Sequence, residues 1–370
     1  MELESRTMTN KSVTKKKILV IGSQGYLGSR LTEYLETCKY EVKGIDTGFF
    51  KGGELTKPHE ISTLSKDVRL IGERELEGYT SVVLLAGISN DPFGNLTSEQ
   101  IYDPTREYAL RIATICKHMG IKFIFPSSCS VYGVAGKDFL AEQDATNPQT
   151  PYSLNKIQVE EGLSLLADDT FSPIALRFGT IYGFSPRIRF DVVINMLCGL
   201  ALTTKEIILN SDGEAWRPHL HIEDACESIR CCIDWDLNAS ELMILNVGNN
   251  SDNYKIIDIA KIIHKHVKDS KLNFLARSDD DATKELVKDR KIQDGVDTRT
   301  YRVCFDKIHE LLPGFKCHWN VEAGIINLLS ELKRLKLESE TFNKREFYRL
   351  QHIEHLYHSN QIDGNLFWIK

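Results

Sequence analysis

The run PYSLNK places a tyrosine and a lysine, Tyr152 and Lys156, four positions apart. On a helix that spacing sets both side chains on one face. An ammonium beside a phenol favours the phenolate, and a nicotinamide cation nearby adds to the effect. Together they draw a tyrosine from its usual pKa of ~10 toward neutrality and make it a general base. The same spacing arises by chance in helices that do no chemistry, so its surroundings decide. Upstream, IKFIFPSSCSVYG reads as a buried strand ending in Ser127 and Ser128. Their hydroxyls can hydrogen-bond a reacting hydroxyl or carbonyl, although serines at a strand end also cap turns.

A second cluster has the residue types of a phosphate cradle. GSQGYLGS puts Gly22, Gly25 and Gly28, with Gln24, Tyr26 and Leu27 between them, after the apolar run KILVI and at the head of a helical pattern. Glycine lets the backbone approach a diphosphate, and the unpaired N–H groups of a helix N-terminus favour an anion. Asp46 ends the next strand, where a carboxylate can accept hydrogen bonds from an adenosine ribose and repels a 2′-phosphate. NAD is therefore expected rather than NADP. A glycine-rich turn without a ligand and a solvated strand-end carboxylate are the bland alternatives.

These residues need elements to hold them. From Lys17 onward, short apolar runs (KILVIG, YEVKGID, SVVLLAG, IKFIFPSS, SPIALRFG) alternate with helical patterns, including Glu99 to Met119 and Tyr152 to Ala167. Runs without strict alternation are strands covered on both faces, and the alternation of elements calls for a parallel sheet. The expected fold is α/β: a Rossmann-type doubly wound parallel sheet over residues 17–183. A smaller C-terminal α/β substrate-binding lid follows over 184–333, with some return to the body. Residues 1–16 read as a disordered leader and 334–370 as a helical extension that docks on the body or on a second subunit. In the lid, helices are expected over Asp191 to Leu200, Ile222 to Cys232 and Ile256 to Val267, with strands at KEIIL and LMILNVG.

The chain has 370 residues, 42% hydrophobic and 26% charged, with a net charge of −6. That composition can bury a sizeable core, and scattered Lys and Arg argue against nucleic acid as a partner. The longest apolar stretch, near Phe190 to Leu202, carries Asp191 and Asn195 and is too short to cross a bilayer. With no apolar segment behind the N-terminal charges, a cytoplasmic location is expected. Nine cysteines at irregular spacing, including the pair Cys231 and Cys232, suggest reduced thiols and neither a disulfide framework nor a metal site.

GSQGYLGS, LLAGIS, SSCSVYG, PYSLNK, RFGTIYG and WRPHLHIED occur in this order, and the set resembles the extended short-chain dehydrogenases/reductases, specifically the nucleotide-sugar epimerase/dehydratase group. The likeness covers roughly Lys17 to Lys333. It implies a catalytic set of Ser128, Tyr152 and Lys156, the lysine also holding the nicotinamide ribose. It implies adenine contacts at Asp67 and Val68, and a dinucleotide-lining stretch at Leu85, Ala86 and Gly87. Substrate contacts are implied at Asn195 and Arg217 and at a later diphosphate-binding arginine, Arg299. Ser89, Ser128, Ser130 and Thr180 fall at further substrate positions. His221 and Asp224 are expected to order the lid. The group often dimerises through the helices that follow Glu99 and Tyr152, so a homodimer is expected.

Departures from the group's pattern bear on the reaction. Its 4,6-dehydratases carry an Asp-Glu pair after the active-site Thr or Ser, where this chain has Cys129-Ser130. Dehydration is thus disfavoured. Cys129 lies one position early for the catalytic cysteine of related epimerases, and strand alternation points it away. Thr105 and Thr180 stand where the group commonly has Asn. The expected activity is an NAD-dependent nucleotide-sugar epimerase, working at C4 through a 4-keto intermediate. A reductase, dehydrogenase or dehydratase of the same group is the alternative, and a non-catalytic dinucleotide sensor is a third.

Overall fold

The computed structural model describes residues 15–89, 97–134, 138–209, 211–274 and 299–369; residues 1–14 of the expected leader lie outside them. The apolar runs become strands β1 (Lys17–Ile21), β2 (Glu41–Asp46), β3 (Thr63–Ser65), β4 (Ser81–Leu84), β5 (Lys122–Ser128), β6 (Ile174–Phe178), β7 (Thr180–Tyr182), β8 (Glu206–Leu209), β9 (Trp216–His221), β10 (Met243–Val247), β11 (Asn253–Lys255) and β12 (Lys271–Phe274). Seven of them form one parallel sheet in the order β10-β6-β5-β4-β1-β2-β3. Helices α1 (Tyr26–Thr37), α2 (Glu73–Leu76), α3 (Ser98–Met119) and α4 (Pro151–Leu166) make the crossovers. Ile18 and Val20 face one layer and Leu19 and Ile21 the other, all at most 1% exposed, which is why these runs lack alternation.

The strand order reverses between β1 and β4. At that switch point the crevice outside the strands' carboxyl ends is the ligand-binding place of open α/β sheets. Helices α5 (Val193–Thr203), α6 (Ile222–Asp234) and α7 (Ile256–His266) follow the body. The β11-β9-β7 and β12-β8 sheets, with α5, α7 and the helix Val321–Arg334, share an apolar core that includes Ile194, Leu197, Ile208, Ile259 and Leu328.

Two segments after residue 184 return to the body. LMILNVG is β10, the outer strand beside β6. Helix α6 packs on α1, where the Tyr34 hydroxyl donates to Glu227 at 2.5 Å and Arg30 pairs with Glu223. The reason is the sheet: β6 would otherwise be an open edge, and α1 would lack a cover on that side. Among the described residues no helix is long and apolar enough to cross a membrane.

Candidate active site

Helix α1 starts without a side-chain cap and without an acidic residue in its first turn. Its first N–H groups are therefore open to an anion. Gly22 (φ +91°) turns the chain so tightly that an added Cβ would come within 2.5 Å of the Ala86 nitrogen, and one on Gly28 within 2.0 Å of the Gly22 carbonyl oxygen. Gly25 differs: a Cβ there would meet only the Gly22 oxygen, at 3.4 Å. Nothing inside the protein demands a glycine at this position, which lines the cleft, so the space it leaves is space for a ligand.

Asp46 accepts hydrogen bonds from the amides of Gln24 (2.9 Å) and Gly48 (2.7 Å). Burial pushes its carboxyl up, while those two amides favour the ionised form. Asp46, Asp67, Val68 and Leu85 to Gly87 line a cavity of about 120 Å³ beside the glycine turn. The carboxylate of Asp67 is already engaged, caps the short turn after it and pairs with Arg69 at 2.7 Å. The uncapped helix, the free space at Gly25 and the aspartate at the end of β2 together fit a dinucleotide. Gly22, Gly25 and the first turn of α1 would hold its diphosphate, and Asp46 its adenosine ribose.

The larger cleft, about 660 Å³, joins this region to the catalytic candidates. Ser128 ends β5, and its hydroxyl oxygen accepts from the Ser130 amide at 3.2 Å. Tyr152 and Lys156 come from the first two turns of α4, which begins with Thr150 as N-cap and Pro151 in its first turn. The Lys156 ammonium donates to the Pro126 carbonyl at 2.7 Å and lies 5.5 Å from the centre of the Tyr152 ring. Burial brings its pKa down to about 8, opposed by Glu160. Ser127, which also lines the cleft, donates to Glu160, which holds Arg177 in a buried pair at 2.6 and 3.0 Å. Cys129 is 1% exposed, its thiol donates to the Arg177 carbonyl, and burial pushes it well up, so it packs and does not face the cleft.

Ser89, Ser130, Thr180, Arg217 and Arg299 also line the large cleft. Ser130 is nearly buried and accepts from the Ser153 hydroxyl at 3.0 Å. Arg217 lies beneath Tyr301, its guanidinium 5.3 Å from the ring centre, and donates to the Trp216 and Arg299 carbonyls. Asn195 is wholly buried and is not among the residues that line the cleft. Its carbonyl accepts from the Gly183 amide at 3.0 Å, and its amide donates to the Tyr26 hydroxyl (3.2 Å) and the Arg189 carbonyl (3.0 Å). These bonds fasten the lid to the glycine-turn helix. Tyr26 joins that fastening, its hydroxyl donating to the Gly183 carbonyl at 2.8 Å. His221 stacks on Trp319 at 4.3 Å, and Asp224 accepts from the His318 and Trp319 amides, an ordering role as expected.

Sequence reasoning missed Arg189 and Arg349. Arg189 pairs with Asp191 (2.8 and 3.0 Å) and donates to Ser89 at 2.5 Å. Its signal was available, since SPRIRFD sets charges into an otherwise apolar stretch. Arg349, with Tyr348, Gln351 and Glu354, brings the C-terminal segment into the cleft.

Residues 18–248 match the family described as the NAD dependent epimerase/dehydratase family. An uncharacterized UDP-glucose epimerase of Bacillus subtilis (strain 168), YtcB, is 32% identical over 230 residues, covering 58% of this chain and 71% of that protein. Two solved structures share the fold. The NAD dependent NDP-hexosamine 5,6-dehydratase TunA of tunicamycin biosynthesis superposes with a TM-score of 0.71 at 20% identity, over 87% of this chain and 99% of its own. The UDP-glucuronic acid 4-epimerase of Bacillus cereus, with UDP-glucuronic acid and NAD, gives 0.69 at 23%, over 86% and 100%. With a parallel sheet that reverses its strand order at a dinucleotide cradle, and a family match over more than half of its length, the chain belongs to the NAD-dependent epimerase/dehydratase family.

Proposed function

We propose that this chain is a nucleotide-sugar epimerase that inverts C4 through a transient 4-keto sugar. The observation that carries the reading is the joint lining of one cleft: Ser128, Tyr152 and Lys156 share it with the glycine turn and with Arg189, Arg217 and Arg299. Arginine forks suit a diphosphate.

In this reading Tyr152 takes the proton of the sugar's 4-hydroxyl and later returns it. Ser128 hydrogen-bonds the same oxygen, and Lys156 orients the tyrosine and offers positive charge beside it. Bound NAD supplies the hydride acceptor and donor. The lid holds the nucleotide end while the ketose presents its other face. Against dehydration, no acidic pair follows Ser128; against epimerisation by a cysteine base, the thiol of Cys129 is buried away from the cleft. For a second copy of the chain we propose the α3–α4 face, where Leu154 and Leu165 of α4 are exposed.

Proton NMR with a panel of nucleotide sugars, catalytic NAD and heavy water tests the reading. A new anomeric signal with no ring deuterium is the expected result. Deuterium at C3 or C5, a new methyl signal, loss of carbon dioxide, or NADH formed one for one with product would overturn it.

A further inference from the structure

Beyond the family match, the chain folds back onto the cofactor side of the crevice. The helix Arg349–His358 is followed by a turn closed by an antiparallel bridge between Ile362 and Trp368. His352 Nε2 meets the Phe49 carbonyl at 2.7 Å, and the Trp368 indole donates to the Thr47 carbonyl at 2.7 Å, both in the loop after Asp46. From the other side Arg69 donates to the Asn365 and Leu366 carbonyls and lies 3.4 Å over the Phe367 ring. Ile353, Leu356, Ile362 and Leu366 pack on Ile101 and Tyr102 of α3.

Two residues of this arm reach the dinucleotide space itself. Leu366 lines the smaller cavity together with Asp46, Asp67 and Val68. It does so with φ +60°, a left-handed conformation that is strained for a leucine. Arg349 lines the larger cleft with Gly25 and Tyr26. It is 5% exposed, and its guanidinium lies 3.9 Å over the Phe50 ring.

Among the described residues no carboxylate is hydrogen-bonded to the Arg349 guanidinium: Glu54 pairs with Arg187 at 2.5 Å, Asp191 pairs with Arg189 and accepts from the Arg349 backbone amide at 3.1 Å, and Asp46 accepts two amides. Arg349 Nη2 has only the Arg187 carbonyl at 3.4 Å, and Nη1 has no hydrogen-bond partner among the described residues. A buried cation beside two other arginines, with an unmet donor, calls for an anion. Burial first, then the charges of Arg189 and Arg187, press its pKa down to about 9, opposed by Asp191 and Asp46.

We propose that the arm 345–369 is a built-in wall of the dinucleotide site, Leu366 closing the adenine cavity and Arg349 binding the cofactor's diphosphate opposite the first turn of α1. The arm then slows escape of the cofactor between turnovers, as suits an enzyme that ends each cycle with the same NAD it began with. The inference concerns cofactor binding alone and stands whichever sugar is turned over.

The test is calorimetric titration of the full chain with NAD, ADP, adenosine and UDP, beside the melting temperature of the ligand-free protein. Arg349→Gln is expected to weaken NAD and ADP at least tenfold, to leave adenosine and UDP unchanged, and not to lower the ligand-free melting temperature, because like-charge repulsion is relieved. Leu366→Ala is expected to weaken adenosine, ADP and NAD alike and to speed NAD loss on dilution, with UDP unchanged. Weakened UDP with unchanged ADP in Arg349→Gln would move the arginine to the substrate's diphosphate and overturn the proposal. A lower ligand-free melting temperature with all four ligands bound as in the unaltered protein would make Arg349 structural and overturn it too.

Discussion

Lys156 sits one helical turn beyond Tyr152, with its ammonium tied to the Pro126 carbonyl at the end of the neighbouring strand β5 and 5.5 Å from the tyrosine ring centre. The strand that presents Ser128 thereby also fixes the lysine, so the three side chains are positioned by the contact of β5 with α4. Tyr152 is braced from its other side by Tyr102, with ring centres 6.3 Å apart.

In the proposed mechanism Tyr152→Phe removes the proton acceptor and little else. Turnover should fall by a factor on the order of 10² to 10⁴, the usual worth of a general base. NAD affinity, read by fluorescence titration, should stay within about twofold. Undiminished turnover would take Tyr152 out of the mechanism.

The glycines of the cradle separate ligand space from folding space. Gly25→Ala should leave the ligand-free melting temperature unchanged and weaken NAD at least tenfold. Gly28→Ala drives a methyl into the Gly22 carbonyl and should destabilise the fold by roughly 1–3 kcal/mol with or without ligand. Equal loss of stability in both would refute the distinction.

Glu160 and Arg177 are 5% and 4% exposed and bonded twice to each other. Glu160→Gln leaves the guanidinium buried without its counter-charge, which typically costs about 3–5 kcal/mol. Urea denaturation should show the midpoint moving down with the slope unchanged. A loss under 1 kcal/mol would mean that water reaches this pair.

Asp252 and Asp224 lie near each other, and burial raises both carboxyls to about 6. Their ordinary value is 3.8, so between about pH 4 and 6 the folded chain holds protons that the unfolded chain has lost, and their contribution to stability falls as pH rises through that window. Asp252→Asn mimics the protonated form. It should match the unaltered protein near pH 4 and be the more stable by on the order of 2 kcal/mol at pH 7. Thermal melts across that range check this, and a gap that does not change with pH would remove the carboxyl from the account.

Much of this was legible in the chain because the signals are local. Apolar runs such as KILVI and SVVLL can only be buried on both faces, and the glycine turn and PYSLNK each keep their chemistry within eight residues. The position of Asn195 in the chain says nothing of where its amide hydrogen bonds go, which in the fold is to Gly183, Tyr26 and Arg189. The arm was expected as a helical extension docking on the body or on a second subunit, with no site residue assigned to it. What gives Arg349 and Leu366 meaning is contact with residues about 300 positions earlier, Phe50 and Arg69, and no local periodicity encodes that.

The last strand of the main sheet, β10, pairs Ile244 with Ala175 after the chain has passed through β7, β8, β9 and the lid helices. The nucleotide-binding half is therefore not a continuous stretch that could be cut out and studied alone. A fragment ending after Tyr182 would expose the wholly buried strand β6 as an open edge, a template for pairing with other copies. In the whole chain that edge must wait for a partner more than sixty residues away, a long loop closure that slows folding and keeps a sticky strand exposed until the lid has been threaded between the two.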